Sequence, residues 1–274
     1  MNKRLSYFAA TALIGLSSLL FSCSKNDPEY IPPVPEGSGN ENQISKNTFS
    51  TIEIEGFQVK IRTYVEKTNA AQAALKLMEE NLKEVNELIP EYALTVMKEH
   101  PIWLEENLTI EGVQTSAAWY NAYLDFLKYY NLMEAKYKCV EITNYTNYVN
   151  WSKQNQPYMV LHELCHLYHD LAIENGYDNK ELLDAYNHAY STGMYTDTPY
   201  CLDWRTDPPT QYNITGKAYA MNNVTEYFSE ICEAYWGKND YYPFDYWDLK
   251  EYDPMGFEQM EKIWGKRNLP DTRP

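Results

Sequence analysis

Residues 159–170 read MVLHELCHLYHD and hold three of the chain's five histidines, with a glutamate directly after the first. Successive residues of an α-helix turn by about 100°, which places His162 and His166 one turn apart on nearly the same face. The sequence therefore predicts a helix that begins near Pro157, is buried, and directs two imidazoles toward one point. The apolar residues that would bury it are Met159, Val160, Leu161, Leu164 and Leu167.

The pattern His162, Glu163, His166 is H-E-x-x-H, in which two histidines bind zinc and the glutamate acts as a general base. The alternative is an apolar helix that carries these three polar side chains without a metal. Burying them costs free energy unless each finds a partner, and a metal ion is such a partner. We therefore expect zinc at His162 and His166, with Glu163 beside a bound water.

A catalytic zinc site uses three protein ligands and keeps one position open. His169 lies on the same helical face as His166, but a straight helix does not wrap three successive turns around one ion. The longer motif H-E-x-x-H-x-x-G-x-x-H, in which a glycine turn precedes a third histidine, is absent, because Asp170 and Leu171 follow without a break. We therefore expect His169 just outside the site or at the surface.

A second segment, NNVTEYFSEICEAYWG at residues 222–237, carries Glu226, Glu230 and Glu233 at positions i, i+4 and i+7. A solvated acidic face is the ordinary interpretation of such a row. The other positions are apolar enough for a buried helix, which also suits a metal site. There, one carboxylate would bind the ion, and its neighbour one turn on would accept a hydrogen bond from a ligating histidine.

HELCH followed by EYFSE resembles the gluzincin metallopeptidases, whose second helix supplies a glutamate ligand and, four residues on, an acidic residue that orients a histidine. The aromatic pair in EYFSE and a tyrosine seven residues upstream are similar to the catalytic domain of anthrax lethal factor and its Pro-Pro endopeptidase relatives. This resemblance implies that Glu226 is the third zinc ligand, that Glu230 hydrogen-bonds a ligand histidine, and that the Tyr219 hydroxyl stabilises the transition state.

The likeness extends to longer segments, VEITNYTNYVNWSKQNQPYMVLHELCHLYHD (140–170) and YAMNNVTEYFSEICEAYWGKNDYYPF (219–244). They resemble a group of uncharacterised bacterial proteins with metallopeptidase motifs, over most of residues 50–265. The resemblance implies a zincin-like domain and says little about its substrate. Cys165 departs from that group, which usually has a small residue such as alanine there, and leaves open an oxidisable thiol beside the site.

The N-terminus, MNKRLSYFAATALIGLSSLLFSC, has a basic start and an apolar run that is short for a membrane span. LFSC resembles a bacterial lipobox, so we expect residues 1–22 to be a lipoprotein signal peptide and Cys23 to carry the lipid. An ordinary cleaved signal is the alternative. Residues 23–43 are polar and rich in Pro and Gly, as in a disordered tether. The predicted location is the bacterial cell envelope, at the outer membrane, on its periplasmic or cell-surface face.

The chain is acidic, with a net charge of −16. Removal of the signal peptide would take away Lys3 and Arg4 and no acidic residue, so the mature charge would be −16 − 2 = −18. This charge argues against binding nucleic acid through a basic patch. Nothing in the spacing of the four remaining cysteines selects a pairing, and we expect no disulfide framework. They are Cys139, Cys165, Cys201 and Cys232.

The rest of the chain predicts an α+β, zincin-like domain over residues 44–268, mostly helical, with a small mixed sheet before the motif helix. Apolar and polar residues alternate over residues 49–67, around Gly56, which predicts two strands or one bent strand. Further strands are predicted at PIWLEE (101–106) and KYKCVEI (136–142), the latter as an edge strand that could align an extended substrate. Helices are predicted at 69–89, 116–133 (beginning at Ser116), 180–191, 223–236 and 257–266.

Together these features predict a membrane-tethered zinc metallopeptidase that hydrolyses a peptide or protein substrate. Two alternatives stay open at the level of sequence. One is a non-catalytic binding lipoprotein on a zincin scaffold, although neither the base nor a ligand is lost. The other is a zinc hydrolase that cleaves a non-peptide amide, such as one in cell-wall material, because the same zinc and water chemistry attacks many acyl groups.

Overall fold

The computed structural model describes residues 48–204, 211–214, 216–270 and 273. This part of the chain is α+β and mostly helical, with a small mixed sheet, as the sequence predicts. The helices are α1 Asn69–Leu88, α2 Glu91–Lys98, α3 Leu124–Tyr129, α4 Tyr145–Gln154, α5 Met159–Leu171, α6 Lys180–Ser191, α7 Val224–Trp236, α8 Tyr246–Tyr252 and α9 Pro254–Trp264. The strands are β1 Phe49–Ile54, β2 Phe57–Arg62, β3 Ile102–Leu104, β4 Thr109–Ile110, β5 Val113–Gln114, β6 Ala118–Tyr120, β7 Val140–Ile142, β8 Pro199–Asp203 and β9 Gln211–Ile214.

The main sheet has the strand order β1-β2-β3-β7-β6. Its first two strands form an antiparallel hairpin, which is the first of the two predicted alternatives, two strands or one bent strand. The chain turns at Glu55 and Gly56, both in the left-handed region. The strand pairs β2/β3 and β3/β7 are parallel, whereas β6 runs antiparallel to β7. The smaller pairs β4/β5 and β8/β9 are antiparallel hairpins.

One face of the sheet is covered by helices. Alternate strand residues point to opposite sides of the sheet, so every second side chain faces these helices. Helix α5 packs against β6 and β7, α1 packs near β1, and the two helices touch each other. The hydroxyl of Tyr120 in β6 donates to Asp170 at the end of α5 over 2.8 Å, which marks this as the helix side. The apolar core lies between these layers and continues to α9.

The other face of the sheet carries a buried charge network. In register, Trp103 and Trp119 both lie opposite Glu141. Lys136 forms ion pairs with Glu141 and Glu105. Burial by itself lowers the pKa of Lys136, but the two carboxylates raise it overall, so the lysine stays charged. Each buried charge has a partner in this network, so removing one partner would leave a buried charge uncompensated.

The predicted helix over residues 116–133 is wrong for its first half. Residues Ala118–Tyr120 form strand β6, and the helix is confined to Leu124–Tyr129. Alanine at 117, 118 and 122 favours a helix locally. The segment forms a strand instead, because pairing with β7 buries its aromatic residues and satisfies the backbone groups that face β7.

The predicted KYKCVEI strand exists at Val140–Ile142, but its expected place at the sheet edge is wrong. It lies between β3 and β6, and β6 forms the edge instead. The connection from β6 to β7, residues 121–139, contains α3, and the returning strand β7 pairs with β3 on one side and with β6 on the other. Any extended peptide that pairs with this edge would meet β6.

Other predicted helices are confirmed, and three were not predicted. Helix α6 spans the predicted residues, while α7 and α9 begin at Val224 and Pro254. The unpredicted helices α2, α4 and α8 lie in stretches for which the sequence predicts neither a helix nor a strand. Two of them begin after side-chain caps: Asn144 accepts from Asn147 N–H, and Asp245 accepts from the N–H groups of Trp247 and Asp248.

The predicted signal peptide at 1–22, Cys23 and the tether at 23–43 lie outside the described residues. Among the helices of the described part, none combines the length and apolar composition that a membrane crossing requires.

Candidate metal centre

The H-E-x-x-H motif lies in the middle of α5, which we call the motif helix. Every residue from Met159 to His169 is buried, so the helix is enclosed on all sides. The chain leaves it through Asn175 and Gly176, both left-handed. A Cβ at Gly176 would lie 2.9 Å from the carbonyl oxygen of Asp170, so only glycine allows this close return toward the helix.

The three glutamates lie on α7, which we call the glutamate helix. Asn223 caps its start, and the Oδ1 atom accepts from the N–H groups of Thr225 at 2.9 Å and Glu226 at 3.0 Å. This cap sets the orientation of the first turn, in which Glu226 lies. The helix is buried from Glu226 to Trp236, so the glutamate row is no solvated face.

The motif and glutamate helices pack directly against each other. Their contact is close at one end, where Gly237 follows the glutamate helix and meets Tyr158, the residue before the motif helix. A Cβ at Gly237 would lie 2.1 Å from the Tyr158 ring, so no larger residue fits. Glycine at position 237 therefore allows the two helices to approach closely at this end.

Three donor atoms of these helices form a nearly equilateral triangle. The Nε2 atoms of His162 and His166 are 3.1 Å apart, and Glu226 Oε2 lies 3.2 Å from each. The sequence-predicted ligands are thus brought together, two from one helix and one from the other. All three side chains are almost fully buried, at 1%, 5% and 5% exposure.

The donor set and its size fit zinc. A tetrahedral zinc ion with bonds of about 2.0–2.1 Å separates its ligand atoms by about 3.3 Å, close to the edges of this triangle. Two imidazole nitrogens and one carboxylate oxygen are a donor combination of catalytic zinc sites, in which a fourth position stays open. His162, His166 and Glu226 could therefore hold one Zn²⁺ ion without rearrangement of the backbone.

The charges of the site are strongly coupled. Burial by itself raises the pKa of Glu226, but the imidazoles of His166 and His162 hold it below its usual range. Burial likewise lowers the pKa of His162, yet the carboxylates of Glu233 and Glu226 raise it well above its usual value. The raised pKa means that His162 holds a proton between these carboxylates when no metal is bound. A bound cation would replace this proton, so metal binding would release it.

The carboxylate that orients His162 is Glu233, not the predicted Glu230. The Nδ1–H group of His162 donates to Glu233 Oε1 over 2.6 Å, a short charge-assisted bond. Seven residues make nearly two full turns, which returns Glu233 almost to the direction of Glu226. Glu230 is turned by about 40° from that direction. It is also buried beside His162, in a group of close donors with Glu233.

The predicted base and the predicted hydroxyl both lie near the triangle. Glu163 is fully buried and within electrostatic range of His162. Tyr219 lies in a 3₁₀ turn just before the glutamate helix, and its ring centroid is 6.4 Å from that of His162. The structure therefore brings together all the residues that the sequence marks for this site.

His169 is neither at the surface nor part of the triangle. It is fully buried and packs between the rings of Tyr177 and Phe228, with centroid distances of 5.0 and 4.6 Å. Burial and the nearby His166 lower its pKa to about 3. His169 is therefore a neutral core residue at ordinary pH. Of its two expected positions, just outside the site or at the surface, the surface position is wrong.

Tyr177 is a residue of the site that the sequence analysis missed. After the return at Gly176, its hydroxyl lies 3.4 Å from the carbonyl oxygen of His166. Burial and then the charges of Asp170, Tyr123, Glu226 and Glu163 raise its pKa, so the hydroxyl stays a donor. The dipeptide Asn175-Gly176 was the available sequence signal, because Asn-Gly marks a turn, and a reversal after the motif helix brings the next side chain back onto it.

Comparison of the chain with protein-family models, with curated proteins and with solved structures found no match.

Proposed function

We propose that this protein is a zinc-dependent metallopeptidase of the zincin type, tethered to the bacterial cell envelope by a lipid on Cys23. The observation that carries the proposal is the triangle of His162, His166 and Glu226, whose edges of 3.1–3.2 Å suit three ligands of one zinc ion. The gluzincin resemblance and the α+β architecture support it. The described fold places the motif helix behind a mixed sheet with an antiparallel edge strand.

A zinc ion held by His162, His166 and Glu226 would supply Lewis-acid chemistry, making a substrate carbonyl more electrophilic and a water molecule more acidic. Glu163 takes the proton from the attacking water and returns it to the leaving amine. The Tyr219 hydroxyl donates a hydrogen bond to the oxygen that becomes negatively charged. Glu233 holds His162 in the tautomer whose Nε2 lone pair is available as a ligand.

A second hydroxyl donor, Tyr177, lies on the His166 side of the site, whereas Tyr219 lies on the His162 side. The Tyr177 hydroxyl donates its one proton to the carbonyl oxygen of His166, so its contact is with the motif helix. We assign the oxyanion role to Tyr219 and a role in positioning the motif helix to Tyr177. Tyr219→Phe should then lower kcat more than Tyr177→Phe does.

The test begins with the metal. The purified domain should contain about one zinc per chain by elemental analysis. Glu226→Gln should largely empty the site, because it removes a charged ligand. Glu174→Gln is a matched control on the exposed turn after the motif helix, and it should leave the zinc content unchanged. Undiminished zinc in Glu226→Gln would contradict the assignment of the third ligand.

Activity is tested with an unbiased peptide library and mass-spectrometric detection of new termini. The wild type and Glu174→Gln should cleave a subset of peptides. Glu163→Gln should retain zinc but lose cleavage, since the carboxylate acts on water and not on the metal. If Glu163→Gln cleaves as fast as the wild type, the proposed role of Glu163 is wrong.

The complete burial of Glu163 favours a second candidate function, a closed zinc site in a non-catalytic binding lipoprotein. Structural zinc sites are closed to solvent, whereas catalytic sites admit a water. The same two measurements separate the candidates. A non-catalytic protein would bind one zinc and cleave no member of the peptide library, and Glu163→Gln would then change neither result.

A further inference from the structure

A shallow cleft lies at the outer edge of the main sheet, where β6 is followed by α3. Among the described residues, β6 pairs with a strand on one side only, and that strand is β7. The cleft holds about 230 Å³ of empty space, part of which is open to solvent. We call it the edge cleft. It is lined by Trp119, Tyr120, Asn121, Ala122, Tyr123 and Phe126.

The edge cleft lies beside the motif helix. Tyr120, one of its lining residues, donates from its hydroxyl to Asp170 Oδ2 over 2.8 Å. Asp170 follows the proposed ligand His166 by four residues, which is about 6 Å along a helix axis. A peptide that extends the sheet along β6 would therefore have residues near the metal centre and near the cleft.

The walls of the edge cleft are largely aromatic. Trp119 and Phe126 meet edge to face, with their ring centroids 5.8 Å apart. The Nε1–H group of Trp119 already donates to Glu141 over 3.0 Å, so this ring has its polar partner inside the protein. Tyr123 is the most exposed lining residue, at 51%. Rings placed in this way favour a further ring that packs against them edge to face or offset.

Asn121 brings a buried acceptor without a partner to this cleft. Its side chain is 3% exposed, and Nδ2 donates to Glu141 Oε2 over 3.0 Å and to the carbonyl oxygen of Cys139 over 3.4 Å. Its Oδ1 atom has no hydrogen-bond partner in the part of the chain that the structure describes. A buried acceptor that stays unsatisfied costs free energy. A ligand that donates a hydrogen bond to this oxygen would remove that cost.

The lining favours a neutral ligand. None of the six described lining residues is charged. Two carboxylates contact the lining, and both are already paired: Glu141 with Lys136, and Asp170 with Lys138. A lysine or arginine side chain in the cleft would lose water without gaining an unpaired carboxylate from this set, which is unfavourable.

We propose that the edge cleft is a subsite for the tyrosine side chain of a peptide that is extended along β6. The tyrosine ring packs against the aromatic walls, and its hydroxyl donates to Asn121 Oδ1. The inference rests on the proposed function, because it takes a peptide as the substrate and adds the side chain that this peptide presents. Phenylalanine would keep the ring contacts and lose the hydrogen bond, and alanine would lose both.

Binding to an inactive variant tests this subsite. Labelled alanine-based peptides that differ at one guest position are titrated with full-length Glu163→Gln, and binding is followed by fluorescence anisotropy. The tyrosine peptide should bind about 2- to 10-fold more tightly than the phenylalanine peptide, which is the effect of one neutral hydrogen bond. The alanine and lysine peptides should bind more weakly than both. Equal binding of the tyrosine and phenylalanine peptides, tightest binding of the lysine peptide, or no binding of the tyrosine peptide would each overturn the proposal.

Two further substitutions in the Glu163→Gln background separate the ring contact from the hydrogen bond. Tyr123→Ala should weaken the tyrosine and phenylalanine peptides alike, and unchanged binding would contradict the aromatic wall. Asn121→Ala should make the two peptides bind equally, and a retained difference in the folded variant would contradict the acceptor. Tyr129→Ala is the matched control and should change neither peptide, because Tyr129 is 74% exposed on α3 and is not among the described lining residues. If Asn121→Ala did not fold, the guest series and Tyr123→Ala would still decide.

Cleavage of the peptide library by the wild type tests the proposed function separately. If no peptide is cleaved while the preference for tyrosine holds in binding, the proposed function fails and the cleft stands as a peptide-binding site. If peptides are cleaved while tyrosine gives no advantage in binding, the subsite fails and the proposed function stands.

Discussion

Glu233→Gln is the substitution that most directly tests how the site is held together. The carboxylate of Glu233 accepts from His162 Nδ1–H over 2.6 Å in a position only 5% exposed. Glutamine keeps an oxygen acceptor but removes the charge. A hydrogen bond to a charged group contributes about 1.5–3 kcal/mol. Loss of such a partner of a metal ligand weakens metal binding by about 10–100-fold, or about 1.4–2.8 kcal/mol. We therefore expect zinc affinity to fall by this factor.

The assay is competition for zinc with a chelator of known affinity, at fixed pH. Glu230→Gln is the matched control. It makes the same chemical change about one turn earlier on the same buried helix, at a second carboxylate that lies near His162. It should weaken binding less than Glu233→Gln does. Glu233→Ala should weaken binding more than Glu233→Gln, because it leaves the imidazole donor without its acceptor. A larger loss for Glu230→Gln than for Glu233→Gln would refute the reasoning and restore the assignment predicted from sequence.

Three further predictions concern stability, pH and location. Lys136→Met should destabilise the fold by about 3–5 kcal/mol in urea unfolding, because it leaves the buried carboxylates of Glu105 and Glu141 without their shared cation. The pKa of His169 is lowered to about 3, so the unfolded chain takes up its proton first as pH falls below the ordinary value of 6.5. Between pH 6.5 and about 3, the free energy of unfolding of the metal-free wild type should therefore fall by up to about 1.4 kcal/mol per pH unit more than that of His169→Leu. An equal dependence of stability on pH in the two proteins would contradict this. Cys23→Ala should move the protein out of the membrane fraction, and unchanged fractionation would contradict lipidation.

Local patterns in the sequence predicted the elements whose stability comes from their own periodicity. The motif helix, α1 and α6 carry apolar residues at helical spacing, and the β1–β2 hairpin alternates around a glycine turn. These elements were found where the patterns place them. Residues 116–133 were assigned wrongly because their helical composition competes with strand pairing, and only the presence of β7 beside them decides that competition.

The metal site likewise has residues that local sequence patterns predict and residues whose roles depend on tertiary packing. The sequence indicated His162, His166 and Glu226, because a one-turn spacing of histidines and a buried carboxylate row are visible in one dimension. The gluzincin resemblance pointed to Glu230, but helical spacing by itself could not choose between Glu230 and Glu233 as the partner of His162. Both lie within one helical face, and the choice depends on how the glutamate helix is rotated against the motif helix. Tyr177 was missed because it reaches the site only after the chain reverses at Gly176.

By itself the sequence determined which residues can bind a metal and which helices carry them, since ligand chemistry and helical spacing are properties of short segments. Tertiary structure alone decided that three donor atoms lie 3.1–3.2 Å apart and that β6 forms the edge of the sheet. These relations join segments tens of residues apart. They depend on the distance and rotation at which helices and strands pack against each other. The close contact of Gly237 with Tyr158 is one example of such packing.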